Sequence, residues 1–418
     1  MSTHTLIPVL VLAGTCLAAA ARAQDTETRP LRVLIDRNLD RQLIELVSIN
    51  DTLINYVDAA GKHVSAPVRD FVALAPIDAW DNTETTKSLF SRGSMISRSG
   101  VLELVDGQRF VGTASVADAG EEMLAWNYPR LGLMTIPLES VRRIVLPRIM
   151  NTNQARPPLA VEAEDVVRLT NGDTLRGFLA DYGSTTTIEL DDGTTIDTPI
   201  NVLDEITLAN PSESPEGMRL WLTGGNIVDA QTLTTSDQSK AGVLSVTLEH
   251  GRITAFNAGS AASEADNADA GLRFEIGREL IEALSFDTGD LVPLASIEAR
   301  AIERSLEIDT TSTAALGARD IHMPGPMTAT WPIPRGATRL ALTAELPIQA
   351  RTWGNLDLIV LIDGTERERH TLYAESPEAH IRLDIENAHD LTITLDEGAF
   401  GPVQDRVTLR EAVLLIGR

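Results

Sequence analysis

Apolar residues recur at every second position along most of this chain, and few stretches carry the three-to-four spacing of a helix. Alternation of that kind buries one face of a β-strand. Residues 102–112 read Leu-Glu-Leu-Val-Asp-Gly-Gln-Arg-Phe-Val-Gly, and residues 167–177 read Val-Arg-Leu-Thr-Asn-Gly-Asp-Thr-Leu-Arg-Gly. A third copy, 220–230, reads Leu-Trp-Leu-Thr-Gly-Gly-Asn-Ile-Val-Asp-Ala. Each predicts a hairpin: a strand, a turn at Asp-Gly, Asn-Gly or Gly-Gly that suits positive φ, then a second strand. The small residue closing each copy (Gly112, Gly177 or Ala230) suits a close backbone approach.

A second motif follows the first. Pro67-Val68-x-x-Phe71-x-x-Leu74 matches Pro137-Leu138-x-x-Val141-x-x-Ile144 and Pro199-Ile200-x-x-Leu203-x-x-Ile206, with Pro293-Leu294-x-x-Ile297 a looser fourth. Proline cannot donate to a ladder, so each marks a strand edge or a bend out of the sheet. Four β repeats are therefore expected. The first, 24–76, is degenerate because Leu39-Asp40 replace the turn glycine; the others occupy 99–149, 163–209 and 210–303. Residues 77–98, 150–162 and 304–318 read as linkers, the first with a helical turn around 81–90. Residues 258–271 (AGSAASEADNADAG) read as a mobile acidic insert in the fourth repeat. Units of this size and strand count resemble small SH3-like or Sm-like barrels. The nucleic-acid binding of Sm-like barrels is not carried over to so acidic a sequence.

From residue 319 the pattern tightens. Alternating runs at 321–323, 327–331, 338–344, 356–362, 366–373, 380–385, 391–395 and 406–416 are separated by turn signals such as Pro324-Gly325, Asp363-Gly364 and Glu397-Gly398. This predicts an antiparallel sandwich of the jelly-roll kind at 319–418. The fold class expected is all-β: tandem small barrel-like repeats followed by a C-terminal β-sandwich.

The sandwich segment contains Trp331-Pro332, Trp353-Gly354, a 358–364 strand ending Asp363-Gly364, the run 388–395, and 401–407 with Asp405-Arg406. In that order the residues resemble the NPCBM/NEW2 type of carbohydrate-binding module, which is akin to galactose-binding-like sandwiches. The resemblance implies a glycan-binding module. It departs from such modules in offering few aromatics: Trp331, Trp353, Tyr373 and Phe400. Sugar recognition needs an apolar ring face and paired polar groups. Arg351, Trp353 and Asn355 in one loop, with Asp405 and Arg406 in a late loop, are the best grouping. The bland alternative makes Trp331 and Trp353 core plugs and Asp405–Arg406 a structural ion pair.

Composition narrows the function classes. There are 60 acidic against 35 basic residues, a net charge of -25, and aromatics are 4% of the chain. A field of that sign repels phosphate backbones, so no nucleic-acid partner is expected. Residues 6–20 form an apolar run too short to span a bilayer, followed by Ala21-Arg22-Ala23, a small-x-small site of the kind a signal peptidase cuts. Cleavage after Ala23 gives an extracytoplasmic protein without a transmembrane segment or cysteine, because Cys16 is the only one. Ala13-Gly14-Thr15 before Cys16 do not suit lipidation.

The seven histidines form no H-E-x-x-H pair, and no G-x-S-x-G elbow or phosphate loop occurs. No cofactor, metal or catalytic group is assigned. A structural calcium at Asp191-Asp192-Gly193, Asp363-Gly364 or Glu397-Gly398 is a minor expectation. The sequence reading is thus an exported, non-catalytic binding or scaffold protein whose partner is a glycan or a cell-envelope protein. The alternatives are a purely structural interaction module or an accessory part of a carbohydrate-processing complex.

Overall fold

The computed structural model describes residues 30–76, 99–115, 122–147, 159–160, 163–235, 243–248, 254–256, 273–302, 306–308, 315–399, 401 and 403–417. The signal segment, the 77–98 connection and the 258–271 insert lie outside them. The described residues are all-β, with single 3-10 turns as their only helices. No helix among them is long and apolar enough to cross a membrane.

The first unit contains β1 (Leu31–Asp36), β2 (Arg41–Ile49), β3 (Leu53–Asp58), β4 (His63–Pro67) and β5 (Phe71–Ala75). They pair antiparallel in the order β5-β1-β2-β3-β4. The second, β6 (Gly100–Leu104), β7 (Arg109–Ala114), β8 (Met123–Tyr128), β9 (Gly132–Pro137) and β10 (Val141–Val145), repeats that order. So does the third: β11 (Asp165–Leu169), β12 (Thr174–Asp181), β13 (Thr185–Glu189), β14 (Thr195–Pro199) and β15 (Leu203–Thr207). The fourth has β16 (Met218–Leu222), β17 (Asn226–Thr235), β18 (Val243–Leu248), β20 (Arg273–Gly277) and β21 (Ile281–Ser285), while β19 (Thr254–Phe256) leaves it to pair with β9.

The closing glycines of the hairpin motif sit where a side chain has no room. A Cβ on Gly112 would lie 2.3 Å from the Asn127 carbonyl oxygen, and one on Gly177 would lie 2.2 Å from that of Glu189. The turn of the first unit differs for a reason outside the hairpin. Leu39 takes φ 60 and is buried in a cluster with the sandwich residues Ala341, Val413 and Leu415, so burial offsets its left-handed backbone.

Units associate through their fifth strands. Ile144 of β10 lies opposite Ile206 of β15, and Leu74 of β5 lies opposite Leu284 of β21. Units two and three therefore form one pair, and units one and four another. Buried charges are matched at these seams: Arg143 and Arg168 both reach the buried Glu205, and Arg168 also meets Asp204 at 3.1 Å. Between units four and two, buried Arg219 holds Asp229 at 2.5 Å and donates to the Asp106 carbonyl at 2.8 Å. Buried ions matched this way avoid the large cost of an unpaired charge.

The sandwich has one sheet of β24 (Glu307–Ile308), β25 (Ile321–Pro324), β32 (Arg406–Ile416), β27 (Ala337–Glu345) and β30 (Glu378–Asp384), with β22 (Leu291–Pro293) alongside β32. The other contains β23 (Ala301–Ile302), β26 (Met327–Pro332), β31 (Asp390–Glu397), β28 (Leu356–Ile362) and β29 (Thr365–Leu372).

Two expectations are corrected here. Residues 291–302, read as the end of the fourth repeat, donate β22 and β23 to the sandwich, and β24 lies in the stretch read as a linker. The reason is local. Pro67, Pro137, Pro199 and Pro293 each precede a 3-10 turn at φ near -60, but in the fourth unit that position is held by Gly277, with φ -70 and ψ 140. The proline motif marks a bend, and the same bend recurs where the chain enters the sandwich.

Candidate functional site

Strand register brings three loops of the sandwich to one end. Glu345 at the end of β27 faces Glu378 at the start of β30, and Leu356 at the start of β28 faces both Leu372 of β29 and Glu397 of β31. The loops 346–355 and 373–377 and the described residues of 398–405 therefore share that end. Leu346 N donates to Pro377 O at 2.7 Å, tying the first loop to the second.

Apolar exposure concentrates here. Of the nine exposed large hydrophobic residues described, Ile348, Trp353, Tyr373 and Val403 belong to these loops. Trp353 is 56% exposed, whereas Trp331 is 2% exposed and sits in the sandwich core. The two tryptophans thus part company: one is a core plug, the other is not.

The first and last of these loops are tied together by polar contacts. Asp405 Oδ1 accepts the Asn355 amide at 3.4 Å, and Asn355 Oδ1 accepts the Ala399 amide at 2.9 Å. Gly354 packs so closely that a Cβ there would lie 2.7 Å from Ala350 O and 3.2 Å from Gln404 O. Asp405 is buried, its Oδ2 has no hydrogen-bond partner among the described residues, and burial, with the nearby Glu397 charge adding to it, raises its pKa.

Of the residues singled out in the sequence, Trp353, Asn355 and Asp405 meet in this cluster. Arg351 is held elsewhere, donating from Nε to Leu346 O at 3.0 Å and from Nη2 to Glu345 Oε1 at 3.1 Å. Its guanidinium braces the loop rather than facing outward with the indole. Arg406 opens β32 with its side chain exposed while Asp405 and Val407 on either side are buried, so strand alternation turns it away from Asp405. The expected Asp405–Arg406 partnership gives way to Asp405–Asn355. Phe400 lies outside the described residues. Ile348 and Val403 escaped the sequence reading, since a lone aliphatic residue in a loop carries no pattern that marks exposure.

Two of the turns proposed for calcium use their carboxylates internally. Asp192 Oδ1 accepts the Thr194 amide at 2.8 Å, and Asp363 Oδ1 accepts the amides of His389 and Asp390, each at 2.9 Å. A hydrogen bond from the Thr194 side chain to Asp192, and after it these backbone bonds, stabilise the ionised forms and lower both pKa values. Among the described residues no group of three or more His, Cys, Asp or Glu is placed to hold a metal ion.

No family model and no curated protein matches the chain. Solved structures with partial likeness include a CBM51 module from Clostridium perfringens GH95 in complex with methyl-galactose, at TM-score 0.27 and 10% identity over 30% of this chain and 99% of that one. Another is the CBM51-2 and INT domains of Clostridium perfringens ZmpB with GlcNAc, at TM-score 0.27 and 13% identity over 44% of this chain, which spans 40% of that protein. The tandem CBM51 modules of Sp3GH98 from Streptococcus pneumoniae align at TM-score 0.27 and 10% identity, over 76% of this chain and 88% of theirs. Overlaps this slight leave the function to be argued from the site.

Proposed function

We propose that this chain is an exported, non-catalytic glycan-binding protein, and that its sandwich holds a pyranose ring against Trp353. The observation that carries this reading is the exposed indole of Trp353, set on a loop whose backbone is fixed by Asn355, Asp405 and the Arg351–Glu345 pair. A flat apolar ring on a rigid base suits the C–H face of a sugar, and little ordering is needed on binding. Asn355, two residues further on and tied to Ala399, is the group offered to hydroxyls.

The sandwich has a packing role already, through Ala341, Val413 and Leu415 against the first unit. That contact uses β27 and β32, not the loop end, so the loops remain available to a ligand.

The test is a glycan array probed with the full mature chain and with Trp353→Ala. Saturable, salt-insensitive binding that weakens about tenfold or more in the variant supports the reading. A blank array, or binding that Trp353→Ala leaves intact, contradicts it.

A further inference from the structure

Three of the barrel-like units end in one repeated edge. Leu53 of β3 faces Pro67 of β4, Met123 of β8 faces Pro137 of β9, and Thr185 of β13 faces Pro199 of β14. The amide after each proline closes the same bond: Val68 N to Thr52 O, Leu138 N to Glu122 O, and Ile200 N to Ser184 O. Successive residues of an antiparallel strand turn their N–H and C=O groups to opposite neighbours. Those three bonds therefore fix the alternation along each strand. Met134 and Ile136 of β9 bond inward to β8, whereas Leu133 and Thr135 present their backbone outward. By the identical register, Ile196 and Thr198 of β14 bond inward, and Thr195 and Asp197 present outward. Each proline falls at an outward position, where no N–H is required.

In the second unit the outward edge is filled. β19 lies antiparallel along it, with Phe256 opposite Leu133, Ala255 opposite Met134 and Thr254 opposite Thr135. The third unit builds the same edge on β14, and among the described residues the only strand register that includes β14 is the one with β13. Thr195 and Asp197 are exposed, and Ile196 is half-buried.

We propose that the edge of β14 is a strand-addition site, taking an extended segment of a partner polypeptide with a basic residue opposite Asp197 and an apolar residue opposite Ile196. β19 on β9 shows which backbone geometry this edge accepts: at least three residues, antiparallel, in a fixed register. The choice of side chains follows from charge and burial. No Lys or Arg occurs between Arg176 and Arg219, whereas Glu189, Asp191, Asp192 and Asp197 all belong to the β13–β14 hairpin. Opposite charges facing each other across strands are favourable, and the register that sets alanine at 255 opposite buried Met134 is the precedent for the apolar position. The equivalent edge of β4 differs in carrying Lys62 and His63 at its start, and lysine at an edge is a common guard against pairing. β14 carries no lysine, and the charge on its edge is the anionic Asp197. Main-chain bonds would give the affinity and the two side-chain positions the selectivity.

The probe is a peptide of residues 251–259 carrying Thr254→Lys, which sets lysine opposite Asp197 and alanine opposite Ile196. It is titrated against the full mature chain, with hydrogen exchange read at individual amides. The expected result is saturable binding with slowed exchange at Thr195 and Asp197. Asp197→Pro, which deletes one outward N–H, should weaken binding about tenfold or more. Asp197→Lys, which keeps that N–H, should weaken this probe and favour a Thr254→Glu peptide instead. Absence of binding, protection confined to β4 or β9, or equal binding by both variants would overturn the proposal. Self-association of the free chain that Asp197→Pro abolishes would assign the edge to a second copy and overturn the partner proposed. None of these outcomes depends on Trp353, so failure here and failure of glycan binding remain separate.

Discussion

Glu411 is a carboxyl held against its own ionisation. It sits in β32 with φ 51, half-buried where the sandwich meets the first unit, with Arg41 Nη1 at 3.3 Å. Burial pushes its pKa up to about 8 despite the opposing pull of Arg41 and Arg410, and Arg41 falls to about 10 for the same reason. A carboxyl whose folded pKa lies above its unfolded value binds more protons when folded. Its contribution to stability is therefore greatest below the unfolded pKa and is lost as pH rises toward about 8. Glu411→Gln imitates the neutral form. Its stability relative to the parent should climb as pH rises from about 5 to about 8, by roughly 1 kcal/mol or more, in paired denaturant titrations. A stability difference flat across that range would contradict the burial argument. Asp405 is raised in the same direction, so Asp405→Asn should hold or improve stability at neutral pH while leaving the loop in place. At this scale the sequence marked Trp353, Asn355 and Asp405 as residues of suitable chemistry. It could not show that Arg351 would be consumed by Glu345 and Leu346, because both contacts depend on how one loop folds back on itself.

At the level of elements, the alternation that makes strands was plain in the sequence, and so were most turns. Gly107 and Gly172 take φ 84 and 100 at Asp-Gly and Asn-Gly, as those dipeptides predict. The glycines closing the hairpins are a sharper case. Trp126 Nε1 and Asn127 O crowd the space where Gly112 would carry a methyl, at 2.7 and 2.3 Å. Gly112→Ala should cost on the order of 2–3 kcal/mol, because a backbone oxygen must shift. Thermal unfolding would measure this, and a loss below about 0.5 kcal/mol would mean that β7 and β8 part easily. What remained hidden was which bend belongs to which sheet. Pro293 carries the local pattern of Pro67, Pro137 and Pro199 yet precedes a strand turn into the sandwich, while Gly277 performs the bend without the proline. A periodic pattern reports the local path of the chain, and partners distant in sequence decide its destination.

Across the whole molecule, the first and last portions of the chain meet. Val33, Ile35, Leu39 and Val72 pack on Leu291, Ala341, Val413 and Leu415. Around that patch Arg37 reaches Asp290 at 2.9 Å and Arg382 reaches Asp40 at 2.6 Å. Nothing in the composition of either segment announces this contact, apart from a leucine where the repeat wants a turn glycine. It means that the sandwich does not begin at residue 319. Leu294 is fully buried in the sandwich core and β22 lines β32. A fragment of 305–418 should therefore be cleaved faster by protease than one of 286–418, and comparable resistance would contradict the shared core.

A crystal structure of the full mature chain with the strongest glycan from the array would show whether the loop end of the sandwich holds a sugar on Trp353. A pyranose ring should lie flat on the Trp353 indole at contact distance, about 4 Å, with hydroxyls reaching Asn355 or the 398–405 backbone. A glycan bound away from Trp353 would contradict it.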